Sequence, residues 1–321
     1  MKRVLVTGAN GFVGAVLSRQ LVRAGYDVRA ATRKGGRENV EVEDRVEVGE
    51  INSDTQWHKA LDGVDSVIHL AARAHKFGDA SVNSVLYTET NARGTVNLVR
   101  QSARFGVRRF ILLSTVKVNG EATQGVSFTS SDLRHPIGPY AVSKAESETG
   151  ALTVSALTNM DVAVVRSPII YGPGVKGNFL RLLQWIDKER LLPLGSVCNQ
   201  RSMVSVLNLS DLLMRLVEAD VGRESIWMVS DGEDMSTPEL VRRIAYLMDR
   251  RVKLLPAPVW GLKILGNLFG YDSQVERLCS SLIVDMSKTC NDLCWRPPFS
   301  VKDGLIQTIQ WYLSEKKLLN D

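Results

Sequence analysis

Short apolar runs alternate with amphipathic stretches along the first half of the chain. Val4-Leu5-Val6 reads as a strand, residues 12–23 carry Val13, Val16, Leu17 and Leu21 at helical spacing, and residues 28–32 read as a second strand. The strand signal returns at 66–70, 110–113 and 162–165, separated by helical patterns near 52–61, 91–105 and 140–157. Such alternation implies a parallel sheet with both faces covered, because every crossover helix needs an apolar sheet face to pack on. After about Tyr171 the rhythm breaks. Pro and Gly punctuate the chain at Pro173, Gly174, Gly177, Pro193, Gly195, Pro256 and Pro258, and two late helices are expected over 237–249 and 302–315. The expected fold is α/β, a doubly wound parallel sheet over 1–171 and a smaller α+β lobe over 172–321, with some segments crossing back.

Composition narrows the classes. Of 321 residues, 44% are apolar and 23% charged, which suits a full globular core and excludes disordered, collagen-like and coiled-coil chains. The net charge of +5 is spread in pairs such as Arg108-Arg109, Arg242-Arg243 and Arg250-Arg251 rather than in one stripe. That argues against nucleic-acid binding and leaves small anionic ligands. Cys198, Cys279, Cys290 and Cys294 have no Cys or His at zinc-ligand spacing, so no metal is expected. They read as small packed hydrophobes, with Cys290 and Cys294 four apart on one helix. The apolar run after Met1-Lys2-Arg3 is too short for a signal peptide, and Lys263 interrupts the most lipid-like stretch, 254–269. No integral membrane segment and a cytoplasmic location are expected. The run from Val259 to Gly266 is expected to cap the second lobe, with membrane-surface contact as the lesser alternative.

The first strand runs into Thr7-Gly8-Ala9-Asn10-Gly11-Phe12-Val13-Gly14, where a helix begins. Gly8, Gly11 and Gly14 answer three needs of a Rossmann-type dinucleotide site: a tight turn, close backbone approach to a pyrophosphate, and close packing of helix on strand. The helix N-terminus adds unpaired N–H groups for the phosphates. Asn10, Phe12 and Val13 complete that turn. The second strand ends in Ala30-Ala31-Thr32-Arg33-Lys34, with no carboxylate available to repel a 2′-phosphate and Arg33 able to hold one. NADP is therefore the favoured cofactor, with NAD use left open. Glu50 and Ile51 would lie beside the adenine, and Leu70, Ala71 and Ala72 beside the ribose and phosphates.

Tyr140-Ala141-Val142-Ser143-Lys144 opens a helix and sets Tyr140 and Lys144 on one face. A lysine ammonium beside a tyrosine lowers the phenol's pKa and lets it exchange a proton with a substrate oxygen near neutral pH. Ser114-Thr115 ends the fifth strand at the edge where such sheets bind ligands, and its hydroxyl can hold the same oxygen. His69, inside an apolar strand, reads as a satisfied core histidine, and His75 as a loop residue or a sugar contact.

Together these residues resemble the extended short-chain dehydrogenase/reductase superfamily, in its nucleotide-sugar epimerase, dehydratase and reductase branch. The resemblance covers nearly the whole chain. Counted back from Asn119-Gly120, where the family has Tyr-Gly, it implies that Thr115 rather than Ser114 is catalytic, with Tyr140 and Lys144. It implies further that Asn91 is the family's helix asparagine, and that Arg166-Ser167-Pro168 with Tyr171-Gly172-Pro173 lies under the nicotinamide. On the substrate side it implies that Asn178 and Arg201 bind a nucleotide diphosphate, with Arg277 as a weaker second cation. Asp211 is expected to fix the local fold. Leu293-Cys294-Trp295-Arg296-Pro297-Pro298 resembles a structural Leu-Gly-Trp-x-Pro motif, with Cys294 in place of the glycine. A homodimer through the helices at 91–105 and 140–157 is expected on the resemblance alone.

The same likeness frames the reaction. A 4,6-dehydratase carries an acid and a base after the catalytic threonine, whereas this chain has Val116-Lys117, and Val116 cannot transfer protons. The absence of an NAD-type acidic residue favours a reductase using NADPH. The expected reaction is therefore reduction of the C4 keto group of a UDP-4-keto-6-deoxy-N-acetylhexosamine, giving UDP-N-acetylquinovosamine or its C4 epimer for bacterial surface polysaccharide. The alternatives are a 4-epimerase of UDP-N-acetylhexosamine or UDP-glucose with tightly bound NAD, and, as a minor one, a non-catalytic NADP-binding protein.

Overall fold

The computed structural model describes residues 2–33, 42–74, 80–220, 222, 224–268 and 272–318. Lys34 and His75, both singled out above, lie outside the described residues. In chain order the first elements are β1 (Arg3–Thr7), α1 (Phe12–Arg23), β2 (Asp27–Thr32), β3 (Asp44–Glu47), α2 (His58–Leu61), β4 (Ser66–His69), α3 (Ala80–Tyr87), α4 (Gly94–Arg104), β5 (Arg109–Thr115) and α5 (Gly138–Ala156). Then come β6 (Asp161–Ser167), β7 (Ile169–Tyr171), α6 (Gly177–Asp187), β8 (Met203–Ser205), α7 (Val206–Glu218) and β9 (Glu224–Met228). The C-terminal helices are α8 (Thr237–Leu247), α9 (Val259–Leu268), α10 (Asp272–Cys279), α11 (Ser287–Leu293) and α12 (Val301–Leu318).

Seven strands form one parallel sheet in the order β3-β2-β1-β4-β5-β6-β9, a Rossmann-type arrangement. Alternation along the strands divides the core. Val4, Val6, Ile111, Ala163 and Val165 face α1 and α7, while Leu5, Phe110, Leu112, Val162 and Val164 face the side of Trp57, Leu98, Val99 and Ala151. Both faces are covered, so the strands read as continuous apolar runs. Strand order reverses between β1 and β4, which opens a crevice at their carboxyl ends. Residues after 171 return to this sheet: β9 adds the seventh strand and α7 packs beside α1. Around the short parallel pair β7-β8, residues of α6, α8 and α12 such as Phe179, Leu183, Ile244, Leu305 and Ile309 make a second core.

Three local expectations change. The helix expected over 52–61 shrinks to α2, because Asn52 and Thr55 bond the backbone nearby: the Asn52 N–H donates to Thr55 Oγ1 at 2.9 Å and the Asp54 N–H to Asn52 Oδ1 at 2.9 Å. Such side-chain turns compete with helical hydrogen bonding. The pattern at 91–105 begins instead as a π-helical turn, Thr88–Arg93, which then passes into α4. Cys294 does not share a helix with Cys290; it sits just past α11 with φ 46° and ψ 44°, a left-handed conformation that favours glycine. Nor are the cysteines core residues: Cys198 and Cys294 are exposed and the other two half-buried.

Two expected structural roles are met. Trp295 Nε1 donates to Asp211 Oδ1 at 2.6 Å, tying the chain after α11 to α7. His69 is enclosed, with Nδ1 2.7 Å from Thr7 Oγ1 and Nε2 2.9 Å from Thr95 Oγ1. In α9, Val259 and Leu262 pack on the second core, but Trp260, Ile264 and Leu268 are exposed, so the segment covers the lobe with one face only. Among the described residues no helix is long and apolar enough to cross a membrane, and no group of His, Cys, Asp and Glu could hold a metal ion.

Candidate active site

The glycine turn after β1 is built on contacts that forbid larger residues. Gly8 has φ +70°, and a Cβ on it would come 2.9 Å from the Ala71 nitrogen. A Cβ on Gly14 would come 2.1 Å from the Gly8 carbonyl oxygen, so α1 lies directly on the turn. The Gly11 N–H donates to Gly8 O at 2.8 Å, and Gly11 caps α1 with no side-chain hydrogen bond. The first backbone N–H groups of α1 are thus left without a capping side chain, as a phosphate cradle requires. Thr7 Oγ1 accepts from the Ala71 N–H at 3.2 Å, which draws the end of β4 against the same turn. Asn10 and Phe12 are half-buried, Val13 buried, Leu70 and Ala71 half-buried and Ala72 exposed. These residues fit a dinucleotide, since a Cβ at Gly8 or Gly14 would fill the close approaches.

At the adenosine end the structure corrects one expectation. A carboxylate does stand near Arg33: Glu50 Oε1 lies 3.8 Å from its guanidinium, and both side chains are largely exposed. It arrives from the next strand, because β2 and β3 run parallel in register and the Val48 N–H donates to Thr32 O at 3.0 Å. Ile51 is buried below it, against Gly94 at the start of α4.

Strand β5 delivers two hydroxyls with different fates. Ser114 Oγ donates to Glu148 Oε1 at 2.5 Å inside the protein. Among the described residues Thr115 Oγ1 accepts only a 3.3 Å backbone bond from the Lys117 N–H, at the start of a short 3-10 turn over Val116–Val118. Val116 is buried with Met228, Leu282 and Val284, an apolar setting that suits no acid or base.

Helix α5 opens with Tyr140 and, one turn on, Lys144. Asn91 ties this opening to β4: it accepts from the Arg73 N–H at 2.7 Å and donates from Nδ2 to Ser143 Oγ at 3.0 Å, while Ser143 Oγ donates to Tyr140 O at 2.8 Å. Below Lys144 the next turn carries Glu148, fully buried and paired with Arg166 at 2.7 Å; Arg166 also donates to Asn119 Oδ1 at 3.1 Å. Burial, opposed by the Glu148 charge, pulls Lys144 down to about 8. Tyr140 moves the other way. Burial and the neighbouring Tyr87, whose ring centroid is 6.0 Å away, push the phenol up to about 12, so the expected lowering by Lys144 does not hold. The phenol is the protonated partner at neutral pH. Burial, and then the Lys144 charge, hold His69 down at about 3, so it stays neutral.

In the second lobe, Arg201 donates from one NH group to Arg277 O at 2.6 Å and to Ser280 O at 3.0 Å, while its buried Nε has no partner among the described residues. Asn178 stands exposed in the first turn of α6, with no hydrogen bond to Arg201. Pro168 is buried between β6 and β7. Of the residues named from sequence, the glycine turn, Leu70 to Ala72 and Thr115 thus stand at the carboxyl ends of β1, β4 and β5, Asn91 joins the opening of α5 to the segment after β4, and Arg201 bonds the chain at Arg277; Asn178 is not joined to them. Sequence reasoning missed Tyr87, Ser143, Glu148 and the pairing of Lys117 with Glu121. Of these, Glu148 left a signal, a carboxylate one helical turn past Lys144 on the same face.

Residues 4–229 match the family model described as the NAD dependent epimerase/dehydratase family. The chain is 40% identical to a UDP-glucose 4-epimerase of Vibrio cholerae, over 97% of this chain and 96% of that protein. Its fold is similar to that of MoeE5 solved with UDP-glucuronic acid and NAD, with a TM-score of 0.80 and 22% identity over 98% of this chain and 99% of the other. It is similar also to a UDP-glucose 4-epimerase of Thermotoga maritima solved with UDP-glucose, with a TM-score of 0.78 and 20% identity over 98% and 99%.

Proposed function

The chain belongs to the NAD dependent epimerase/dehydratase family, and from that premise we propose that it inverts C4 of a UDP-sugar as a nucleotide-sugar 4-epimerase. The carrying observation is that Thr115 ends β5 at the same sheet edge as the glycine turn after β1, while Tyr140 and Lys144 open α5, which Asn91 ties to the segment after β4, in a chain 40% identical over its length to a UDP-glucose 4-epimerase. The carboxylate of Glu50 at the adenosine end adds support for NAD.

Gly8, Asn10, Gly11, Phe12, Val13 and Gly14 would hold the dinucleotide's pyrophosphate, Thr32, Arg33, Glu50 and Ile51 its adenosine end, and Leu70, Ala71, Ala72, Asn91, Lys144 and Pro168 its nicotinamide half. When bound, that group supplies hydride exchange at C4. In the oxidation half the phenolate form of Tyr140, a minor form at neutral pH because burial raises the phenol to about 12, would take the proton of the C4 hydroxyl, and the phenol so formed would return it to the same oxygen on re-reduction. Thr115 Oγ1 donates to the same oxygen and steadies its negative charge. The Lys144 ammonium stabilises the Tyr140 phenolate each time it forms. Arg201 would offer its guanidinium to the diphosphate, with Arg277 beside it, whereas Asn178, carried over by resemblance, stands apart from both. Inversion requires the sugar to present either face while its diphosphate stays fixed.

A second reading has its own observation: β2 itself ends in Thr32 and Arg33 without an acidic residue, which suits NADPH and reduction of a UDP-4-keto-6-deoxy-N-acetylhexosamine. Purified protein should interconvert UDP-glucose and UDP-galactose, or their N-acetyl counterparts, without added cofactor and carry bound nicotinamide. Protein that is free of nicotinamide and consumes NADPH with the keto sugar would replace the first reading by the second; no turnover in either assay sinks both. The exposed α4–α5 face, where Val96, Val142 and Leu157 line a groove, would pair with a second copy, and the site is expected in the cytoplasm, where nucleotide sugars are made.

A further inference from the structure

Lys117 lies two residues past Thr115, on the turn that β5 makes as it leaves the sheet. Its ammonium is held by both oxygens of Glu121, each at 2.7 Å. The chain then continues to Thr123, whose N–H donates to Ser281 O at 2.9 Å. Ser280 O, the neighbouring carbonyl, accepts from Arg201 at 3.0 Å, and Arg201 also bonds Arg277 O. Three segments distant in sequence thus bring Lys117, Glu121, Arg201 and Arg277 into one partly buried charge cluster that begins two residues past Thr115. The charges are felt mutually. Burial lowers Lys117, and Arg277 and Arg201 lower it further, against Glu121.

This deepens the proposed function and rests on it: Thr115 marks the C4 end of the sugar and Arg201 its diphosphate end, so Lys117 and Glu121 flank the ring between them. We propose that the Lys117–Glu121 ion pair sets the charge selectivity of this pocket, so that it takes UDP-sugars whose sugar is uncharged and rejects hexuronates. Glu121 cancels Lys117 and leaves Arg201 and Arg277, two cations for the two charges of a diphosphate. A carboxylate on the sugar would find no free cation. It would have to displace Glu121 from Lys117 or lie beside it, and like charges brought together in a partly buried site oppose binding.

The test is calorimetric binding of UDP, UDP-glucose and UDP-glucuronate, which does not depend on turnover. The wild-type protein should bind UDP-glucose at least about tenfold more tightly than UDP-glucuronate, and Glu121→Gln, which frees the ammonium, should move that ratio at least about tenfold toward UDP-glucuronate. Lys117→Gln, leaving Glu121 unpaired, should move it the other way, and UDP, measured on all three proteins, is the reference by which each substitution's effect on the diphosphate is divided out. Equal affinity for the two sugars in the wild type, or a ratio unmoved by both substitutions, overturns the charge proposal alone. Absence of UDP binding overturns the site assignment on which both readings rest.

Discussion

The two sides of the cleft are made in opposite ways. The dinucleotide side is written in eight consecutive residues, Thr7 to Gly14, whose backbone is the binding surface and whose side chains chiefly must be absent. The side proposed for the sugar is assembled from the turn after β5, the segment around Arg201 and the end of α10, joined by single backbone bonds such as Thr123 N to Ser281 O. The contrast teaches where errors are tolerated. A backbone cradle fails all at once when one Cβ is added, whereas a side-chain pocket changes its selectivity one charge at a time.

The largest expected effect lies on the backbone side. Gly14→Ala places a Cβ 2.1 Å from Gly8 O and should cost about 3 kcal/mol of stability along with dinucleotide binding. Thermal melting and a nicotinamide titration check this; an unaltered melt with normal titration would break the comparison. Next, Tyr140→Phe should lower kcat by about two to four orders of magnitude with dinucleotide and UDP affinities kept, read by steady-state kinetics beside direct binding. Arg201→Met should weaken UDP-sugar binding by roughly 10- to 100-fold and leave the dinucleotide untouched. A loss of both affinities together would mean that the two sides are not separable.

A smaller effect should follow pH. Lys144, held near 8, loses its proton above that value, and kcat should then fall by up to about tenfold per pH unit. Stability should move oppositely. The folded value lies below the ordinary 10.5, so the unfolded chain keeps the proton longer, and between about 8 and 10.5 this group raises stability by at most ~1.4 kcal/mol per pH unit. Kinetic and melting profiles that decline together above pH 8 would contradict the assignment of Lys144. The smallest effect is expected from Glu50→Gln, which should shift preference toward NADP by about tenfold or less, because both Glu50 and Arg33 are solvent-exposed. An unchanged NAD-to-NADP ratio would remove Glu50 from the adenosine end.

Much of the molecule was legible in the chain because its signals are local. The strands β1, β2, β4, β5 and β6 announce themselves as apolar runs, since both sheet faces are covered. The glycine turn and the Tyr140–Lys144 pair need spacing alone. What escaped was non-local. Which segment crosses back, β9, the pairing of the Glu50 carboxylate with Arg33 and the Tyr87 ring against Tyr140 each join residues that no periodicity links. The asparagine and threonine of the 52–55 turn defeated a helical pattern because their side chains bond the backbone before a helix can.

By itself, then, the sequence determined the parallel sheet, the glycine turn and the placing of Tyr140 and Lys144 one turn apart on a helix, because hydrophobic period and glycine placement act over a few residues. Tertiary structure decided which charges meet. Lys117 with Glu121, Arg201 with Arg277, and Lys144 above the buried Glu148–Arg166 pair acquire their roles from burial and mutual distance. Electrostatic energy depends on separation and dielectric, and both are properties of the folded chain.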